Sequence, residues 1–313
     1  MPVAELIRGL HNLRPEHGGC VATIGSFDGV HRGHQAIIQQ VMQQAQILGL
    51  PSLVMFFEPQ PHEFFSREQA PARLMRLREK VEALSALGVD RILVVPFNEG
   101  LRKLSASEFV EQVLVAGLGI RFLVVGDDFR FGCDRQGDFE FLTHSGKQHD
   151  FQVQDTATLL ESGERVSSTR IREKLEVGDL AAAEKLLSRP YGISGRVMRG
   201  NQLGRQLGFP TANVHLQRYR SPLAGVFAVE VDVQGEKAKG VANVGVRPTV
   251  DGIPKPILEV HLFDFAGDIY GEHIQVAFCK KLRDEKKFSS LDELKENIAK
   301  DIVAAKEFFN LNK

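Results

Sequence analysis

The stretch "TIGSFDGVHRGH", residues 23–34, follows an apolar run and leads into a helical pattern, so it decides how the first part of the chain folds. Gly25, Gly29 and Gly33 crowd this junction, which indicates a sharp turn or a close approach of the backbone to another group. The free N–H groups and the dipole at a helix N-terminus attract anions. The stretch therefore predicts a strand-to-helix turn that binds phosphate, with His31 and His34 as donors to phosphate oxygens.

Two other interpretations of His31 and His34 are open. Residues three positions apart share a helix face, so the two imidazoles could bind a metal ion. A catalytic zinc site takes three protein ligands and a structural site takes four, and the nearest further candidates, Asp28 and His62, have no convincing spacing. The remaining alternative is a tight turn with two incidental polar residues.

Apolar strands alternate with amphipathic helices up to about residue 187. The strands read as apolar on both faces, which predicts a parallel sheet covered by helices on both sides, an α/β architecture that binds ligands at the carboxyl ends of its strands. A capping box, Ser105 with Glu108, begins one helix. The predicted strands are 20–25, 52–57, 91–97 and 121–129, and the predicted helices are 35–49, 73–88, 105–119, 168–178 and 179–187.

The pattern changes after residues 188–192, where we place the border between domains 1–187 and 188–313. Closely spaced strands with Gly and Pro between them predict a small antiparallel barrel or sandwich. These strands are 227–234, 239–246, 257–265 and 273–282. A second capping box, Ser290 with Glu293, begins a C-terminal amphipathic helix that must pack on another element.

Composition excludes several classes of protein. The 313 residues exceed the usual size of a single core, which predicts two domains, and a net charge of −1 with interspersed signs argues against nucleic acid as a partner. Cys20, Cys133 and Cys279 are far apart, which favours a reducing compartment over a disulfide framework. No run approaches the roughly 18 apolar residues of a membrane span, and the N-terminal segment does not read as a signal peptide. We therefore expect a cytoplasmic protein with no membrane partner.

Three motifs in the first domain carry a resemblance to a known family. "GSFDGVHRGH" resembles the His-x-Gly-His signature of nucleotidyltransferases, which have a Rossmann-like α/β fold, in the version typical of prokaryotic bifunctional riboflavin kinase/FAD synthetases. "VGDDFRFG" (125–132) and "RVSSTRIR" (165–172) are similar to two further motifs of that family. The resemblance implies transfer of the adenylyl group of ATP to FMN, with release of pyrophosphate.

The resemblance also implies site residues for adenylyl transfer. The alternative role for Ser168 is helix capping. The alternative for Arg165 and Arg172 is a position on a solvated face, and the alternative for the phenylalanines is packing in the core. Gln60 stands where the family usually has histidine, so we assign position 60 no role as a ligand. The implied residues are His31 and His34 for catalysis; Gly25, Phe27, Asp28, Gly33, Arg165, Ser168, Thr169 and Arg172 for ATP; and Phe57, Asp128 and Phe129 for flavin.

The stretch "GRVMRGNQLGRQLGFPTANV" (195–214) closely resembles the signature of riboflavin kinases, whose fold is a six-stranded β-barrel. The family's general base corresponds to Glu259, which lies on the polar face of an alternating strand; a surface ion pair is its alternative role. His261 receives no role and is expected to be packed or solvent-facing. The resemblance implies ATP contacts for Gly195, Gly204, Arg205, Gly208, Phe209 and Pro210, and Mg²⁺ and phosphate contacts for Thr211 and Asn213.

Together the motifs predict two separate Mg²⁺-ATP sites that convert riboflavin to FMN and FMN to FAD. Two rivals remain: an adenylyltransferase for another phosphorylated acceptor with an inactive barrel, and a regulatory protein that binds flavin without turnover. The remote kinship of the His-x-Gly-His signature with class I aminoacyl-tRNA synthetases raises an RNA-binding alternative, but the chain has no basic excess.

Overall fold

A six-stranded parallel sheet organises the N-terminal part of the chain in the computed structural model, which describes residues 4–199, 208–247, 255–265 and 267–310. The strand order is β1-β4-β3-β2-β5-β6 and every pair is parallel, as the sequence predicted. The central strand β2 is buried at all of its positions. The strands are β1 Glu5–Arg8, β2 Val21–Ile24, β3 Ser52–Glu58, β4 Arg91–Pro96, β5 Phe122–Gly126 and β6 Gln152–Thr156.

Helices cover both faces of this sheet, which confirms the expected α/β architecture. Val54 and Phe56 of β3 pack on the side of α1 and α3, whereas Leu53 and Met55 pack on the side of α5 and α6. The helix α5 continues as a π-helical turn, Val110–Val115. The helices are α1 Arg32–Leu48, α2 Pro61–Phe65, α3 Leu77–Ala86, α4 Glu99–Lys103, α5 Ala106–Phe109 and α6 Phe139–His149.

The sheet order places a topological switch point between β2 and β5. From β2 the chain proceeds through β3 and β4 to one side, whereas β5 and β6 lie on the other side. Ligands of open parallel sheets bind at such a point, outside the carboxyl ends of the strands. The loop after β2 and the turn after β5 therefore meet at the edge where the sequence predicted a site.

Several element ends differ from the sequence prediction, each for a local reason. The helix α1 begins at Arg32, not at residue 35, because His31 caps it. The helix α3 begins at Leu77, not at residue 73, because the Glu79 carboxylate accepts a hydrogen bond from the Arg76 N–H. The strand β5 ends at Gly126 because the Phe129 N–H donates to the Gly126 carbonyl and closes a turn.

The second unit contains a closed antiparallel barrel with the order β10-β13-β12-β11-β14-β9. Closure removes the exposed edges that a small open sheet would leave. The expected barrel with a C-terminal helix is therefore confirmed. The barrel strands are β9 Gly192–Met198, β10 Ala212–His215, β11 Gly225–Val233, β12 Glu236–Arg247, β13 Lys255–Leu262 and β14 His273–Arg283; the helices of this unit are α7 Ser168–Val177, α8 Leu180–Leu187 and α9 Leu291–Phe308.

The helix α9 packs on the barrel and is fastened by an ion pair. Arg283 donates to both carboxylate oxygens of the buried Asp301, at 2.9 and 2.8 Å. Ser290 caps α9 by accepting from the Glu293 N–H, as predicted. The Glu293 carboxylate accepts instead from Lys286 and Ser289, and these bonds lower the pKa of Glu293 to about 2.

Packing divides the chain differently from the predicted functional border. The first compact unit consists of Met1–Pro71 and Met75–Ser167, and the second of Ala72–Leu74 and Ser168–Lys313. Within the second unit, Tyr191 Oη donates to the Leu74 carbonyl at 3.2 Å, and Arg218 donates to the Arg73 carbonyl at 3.1 Å. The division of activities at residues 187 and 188 stays a prediction.

Candidate active sites

His31 and His34 form one compact feature at the N-terminus of α1. His31 is the N-cap residue, and its Nδ1 accepts from the His34 backbone N–H at 3.3 Å. The two imidazole rings stack with their centroids 3.5 Å apart and their planes 16° from parallel. No acidic residue lies in the first turn of α1, so no neighbouring carboxylate within that turn offsets the positive end of the helix dipole. These features agree with the predicted binding of an anion at this turn, which stays a prediction.

The backbone before α1 adopts conformations that side chains rarely tolerate. Phe27, Gly29 and Val30 have φ values of +47°, +88° and +42°. For a β-branched residue such as Val30 this conformation is strained, and such strain persists where surrounding contacts enforce it. At Gly33 a Cβ atom would lie 3.2 Å from the His31 ring, so a larger residue would require this ring to shift by a few tenths of an ångström.

Two buried polar side chains stabilise this turn through hydrogen bonds. Asp28 is 1% exposed, and its Oδ1 accepts from the Met75 N–H at 2.9 Å. Lys80 is fully buried; its Nζ donates to the Ser26 carbonyl at 2.6 Å and lies 4.5 Å from the ring centroid of Phe56. The inward hydrogen bond of Asp28 gives it a structural role, and its assignment to ATP stays a prediction.

Sequence reasoning missed Lys80, although a signal was present. Lys80 shares the apolar stripe of α3 with Leu77 and Leu84, at spacings of three and four residues. A lysine in such a stripe either reaches out to solvent or finds a buried acceptor. The partner lies 54 positions away, so the stripe alone does not identify it.

The turn after β5 brings together two residues that the sequence singled out, Asp128 and Arg165, with Asp127 beside them. Arg165 Nη2 lies 2.9 Å from Asp128 Oδ2 and 3.6 Å from Asp127 Oδ1. Arg165 belongs to a short hairpin of β7 Leu160–Glu161 and β8 Glu164–Arg165, which Arg32 of α1 also fastens through an ion pair with Glu161. Exposed ion pairs of this kind contribute little to stability, and the contact of Arg165 with phosphate stays a prediction.

Phenylalanines line the carboxyl ends of β3 and β4. Phe57 meets Phe97 edge to face with centroids 5.8 Å apart, and Phe64 meets Phe97 at 5.3 Å. Phe65 is 62% exposed, so this cluster offers an aromatic surface. Gln60 is the N-cap residue of α2, whose Glu63 carboxylate accepts from the Gln60 N–H at 3.1 Å.

Phe129 lies after β5 and packs differently from Phe57. Its ring stacks on that of Phe131 with centroids 5.7 Å apart and planes 16° from parallel. It also packs against the core cluster that contains Phe109. The flavin contacts assigned to Phe57, Asp128 and Phe129 stay predictions.

The motif at residues 165–172 leads into α7, which belongs to the second unit. Ser168 and Thr169 are the first two residues of this helix, whose first turn also has no acidic residue. Arg172 Nε donates to the Ala72 carbonyl at 2.6 Å, and the remainder of its guanidinium is where phosphate contacts are expected. Their contact with ATP stays a prediction from the motif.

A row of polar residues crosses three strands of the barrel. Asn213 of β10 and Asn243 of β12 both lie directly opposite Glu259 of β13. Directly opposed residues of antiparallel strands project on the same face. The flanking Leu258 and Val260 are fully buried, so Glu259 lies on the opposite face, as the alternation predicted. Sequence reasoning missed Asn243, because only the strand register shows that it faces Glu259.

The signature segment before β10 lies beside this row. Gly208 has a φ of +88°, and Asn213 Nδ2 donates to the Thr211 carbonyl at 3.5 Å. Gly195 lies inside β9, paired with Ile274. Gly204 and Arg205 lie outside the described residues. Phe209 and Pro210 are in contact with His261.

The donor chemistry of this segment fits magnesium better than zinc. Among the residues that the structure describes, no group of three or more His, Cys, Asp or Glu side chains could hold a metal ion. Thr211 and Asn213 offer hydroxyl and amide oxygens, and Mg²⁺ binds few protein oxygens because it keeps waters and substrate phosphates.

None of the helices that the structure describes has the length and apolar character needed to cross a membrane.

Comparisons with known proteins match the N-terminal and the C-terminal part of the chain to two families. A family model described as FAD synthetase matches residues 13–170, and one described as riboflavin kinase matches residues 187–309. A bifunctional riboflavin kinase/FMN adenylyltransferase of Pseudomonas fluorescens is 57% identical over 302 residues, covering 96% of this chain and 97% of the relative. One of Escherichia coli (strain K12) is 53% identical over 311 residues, covering 99% of each chain.

One solved structure covers both units. A crystal structure described as a macrolide-efflux protein from Streptococcus pneumoniae has a TM-score of 0.78 and 31% identity, covering 96% of this chain and 97% of that one. The nucleotide-binding sheet, the kinase barrel and the two family matches define a two-domain transferase of flavin nucleotides. The chain belongs to the family of bifunctional riboflavin kinase/FMN adenylyltransferases.

Proposed function

We propose that the chain phosphorylates riboflavin to FMN with one ATP and adenylylates FMN to FAD with a second, as the names of its relatives indicate. The observation that carries this proposal is the presence of both motif sets on one chain, the first of them at the carboxyl edge of the parallel sheet, where such sheets bind ligands. The phosphate-binding turn lies at the switch point of the parallel sheet, and Glu259 lies on the barrel opposite Asn213.

In the adenylyl transfer, a phosphate oxygen of FMN attacks the α-phosphorus of ATP, and pyrophosphate leaves. The attacking oxygen is already anionic, so the site needs alignment and charge stabilisation more than a strong base. His31 and His34 at the N-terminus of α1 donate to the phosphate oxygens. We assign Ser168, Thr169 and Arg172 to the β- and γ-phosphates, and the flavin ring to Phe57.

In the kinase reaction, the 5′-hydroxyl of riboflavin attacks the γ-phosphorus of ATP, and ADP leaves. Glu259 accepts the hydroxyl proton as the oxygen becomes a nucleophile. A bound Mg²⁺ neutralises charge on the phosphates in reactions of this class, and the Thr211 hydroxyl and the Asn213 amide oxygen are the residues that would hold it. Asn243, on the other side of Glu259, orients the carboxylate or the substrate hydroxyl.

One incubation tests the function against its rivals. The full chain is mixed with riboflavin, ATP and Mg²⁺, and the flavins are separated by chromatography at successive times. FMN should appear first and FAD second. Adenylylation of supplied FMN without phosphorylation of riboflavin would indicate an inactive barrel, and bound but unchanged flavin would indicate a regulatory protein.

The location and partners follow from the chemistry. Cys20, Cys133 and Cys279 are free cysteines, and the substrates are small phosphorylated metabolites, so we assign the protein to the cytoplasm. Burial raises the pKa of the Cys20 thiol to about 12, so this cysteine stays protonated at neutral pH. We assign no nucleic acid or membrane partner.

Replacing Lys80 with methionine should slow FAD formation from FMN by about tenfold, because the Ser26 carbonyl loses its donor and the strained turn relaxes. Methionine keeps the length of the buried chain. The KM for ATP and the kcat are measured with supplied FMN, and riboflavin phosphorylation serves as the internal control. The exposed Lys103, replaced in the same way, should have no effect; equal rates for both variants would exclude a role for Lys80.

A further inference from the structure

His261 is the side chain on β13 for which the sequence suggested no role. It lies two positions after Glu259, hence on the same face of the strand, and is half-buried. Its Nδ1 lies 2.9 Å from the Pro210 carbonyl oxygen. A carbonyl only accepts, so Nδ1 carries the proton and donates. The hydrogen bond therefore fixes the orientation of the imidazole.

The accepting carbonyl belongs to the segment immediately before β10, outside the ladder of the barrel. The ladder between β10 and β13 begins with the pair Ala212 and Val260. Pro210 lies before that pair, and proline has no N–H to contribute to a ladder. The hydrogen bond from His261 thus extends the attachment of β10 by two residues toward the signature glycine, Gly208.

Ring contacts hold the imidazole on two sides. The Phe209 ring meets the His261 ring edge to face, with centroids 6.0 Å apart and planes at 89°. The Phe263 ring meets it at 6.0 Å and 70°. His261 therefore contacts both residues that immediately precede Thr211, one through its ring and one through its Nδ1.

We propose that His261 is a positioning residue of the kinase reaction: it fixes Phe209 and Pro210 so that the oxygens of Thr211 and Asn213 stay beside Glu259. The inference rests on the proposed function of the barrel. It assigns His261 to the binding of Mg²⁺-ATP and gives it no part in proton transfer. The adenylyl transfer does not depend on it.

Two substitutions separate the hydrogen bond from the ring. His261→Phe keeps an aromatic ring between Phe209 and Phe263 but removes the donor. His261→Asn removes the ring but keeps an amide nitrogen at the distance from Cβ that Nδ1 occupies. His215→Phe is the matched control, because His215 is an exposed histidine on β10.

The experiment measures riboflavin phosphorylation and FMN adenylylation separately in the full chain. His261→Phe should raise the KM for Mg²⁺-ATP in phosphorylation about tenfold, with kcat changed less than threefold and adenylylation unchanged; tenfold corresponds to about 1.4 kcal/mol, at the upper end of the range for one hydrogen bond. His261→Asn should recover most of the loss, and His215→Phe should match the unaltered chain.

Three outcomes would overturn the proposal. The first is an unchanged KM in His261→Phe. The second is a loss confined to kcat that His261→Asn does not recover, which would mark His261 as a proton acceptor. The third concerns the case in which thermal unfolding shows that His261→Phe does not fold. The test then depends on His261→Asn, and a tenfold rise in KM in a folded His261→Asn variant would reject the donor role. Absence of FMN formation in the unaltered chain would instead reject the proposed function.

Discussion

His34→Ala is expected to stop the reaction sequence at FMN, lowering the rate of FAD formation from FMN about a hundredfold. The loss of one preorganised donor to a developing phosphate charge has this magnitude. Alanine keeps the backbone N–H that donates to His31 Nδ1, so the cap of α1 survives and only the imidazole stacked at 3.5 Å is removed. The measurement is the initial rate of FAD formation from supplied FMN and ATP.

Two controls accompany this variant. Phosphorylation of riboflavin should proceed at the rate of the unaltered chain, because the barrel is not touched. His144→Ala, at an exposed histidine of α6, should leave both rates unchanged. FAD formation within twofold of normal in His34→Ala would remove His34 from the site, and loss of both activities in a folded variant would show that the two sites are not independent.

Glu259→Gln should lower the rate of FMN formation from riboflavin about a thousandfold, within the range for removal of a general base. Glutamine preserves the size of the side chain and one acceptor oxygen in the row with Asn213 and Asn243 but cannot take the hydroxyl proton. The rate is measured with riboflavin, and the conversion of supplied FMN to FAD should remain normal. The more severe Glu259→Ala should behave in the same direction.

The matched control for this variant is Glu230→Gln on β11. Glu230 is also an outward-facing glutamate of the barrel, paired in register with Lys239, and no role in the reaction is assigned to it. It should keep normal activity. Phosphorylation by Glu259→Gln at more than a tenth of the normal rate would mean that another group, or none, accepts the proton.

The fold followed from the sequence because its signals are local. Strands apolar on both faces can be stable only between two layers of helices, so the burial of every residue in β2 follows from its composition. The same holds for the N-caps Ser105 and Ser290, whose backbone N–H donors, Glu108 and Glu293, lie three residues further along the chain. Helix starts were less predictable: His31 is an unusual N-cap, and the start of α1 was placed three residues late.

The site was only partly predictable, because its supports are distant in the chain. The motifs and the family resemblance assigned His31, His34, Arg165 and Glu259 to the sites, and these assignments stay predictions. The partner of Lys80 is 54 residues away, and the carbonyl that accepts from His261 is 51 residues away. Such contacts form only when whole helices and strands pack together, so a short stretch of the sequence does not predict them.

The placement of Ala72–Leu74 with the second unit has a consequence for dissecting this enzyme. A fragment ending at residue 187 would retain the fully buried Leu74 but lose Tyr191 and Arg218, which donate to the carbonyls of this segment. The complementary fragment would keep two donors without their acceptors. A single cut between helix α8 and the barrel therefore separates two hydrogen-bond donors from their acceptors, and the fragment that carries the barrel lacks part of its compact unit.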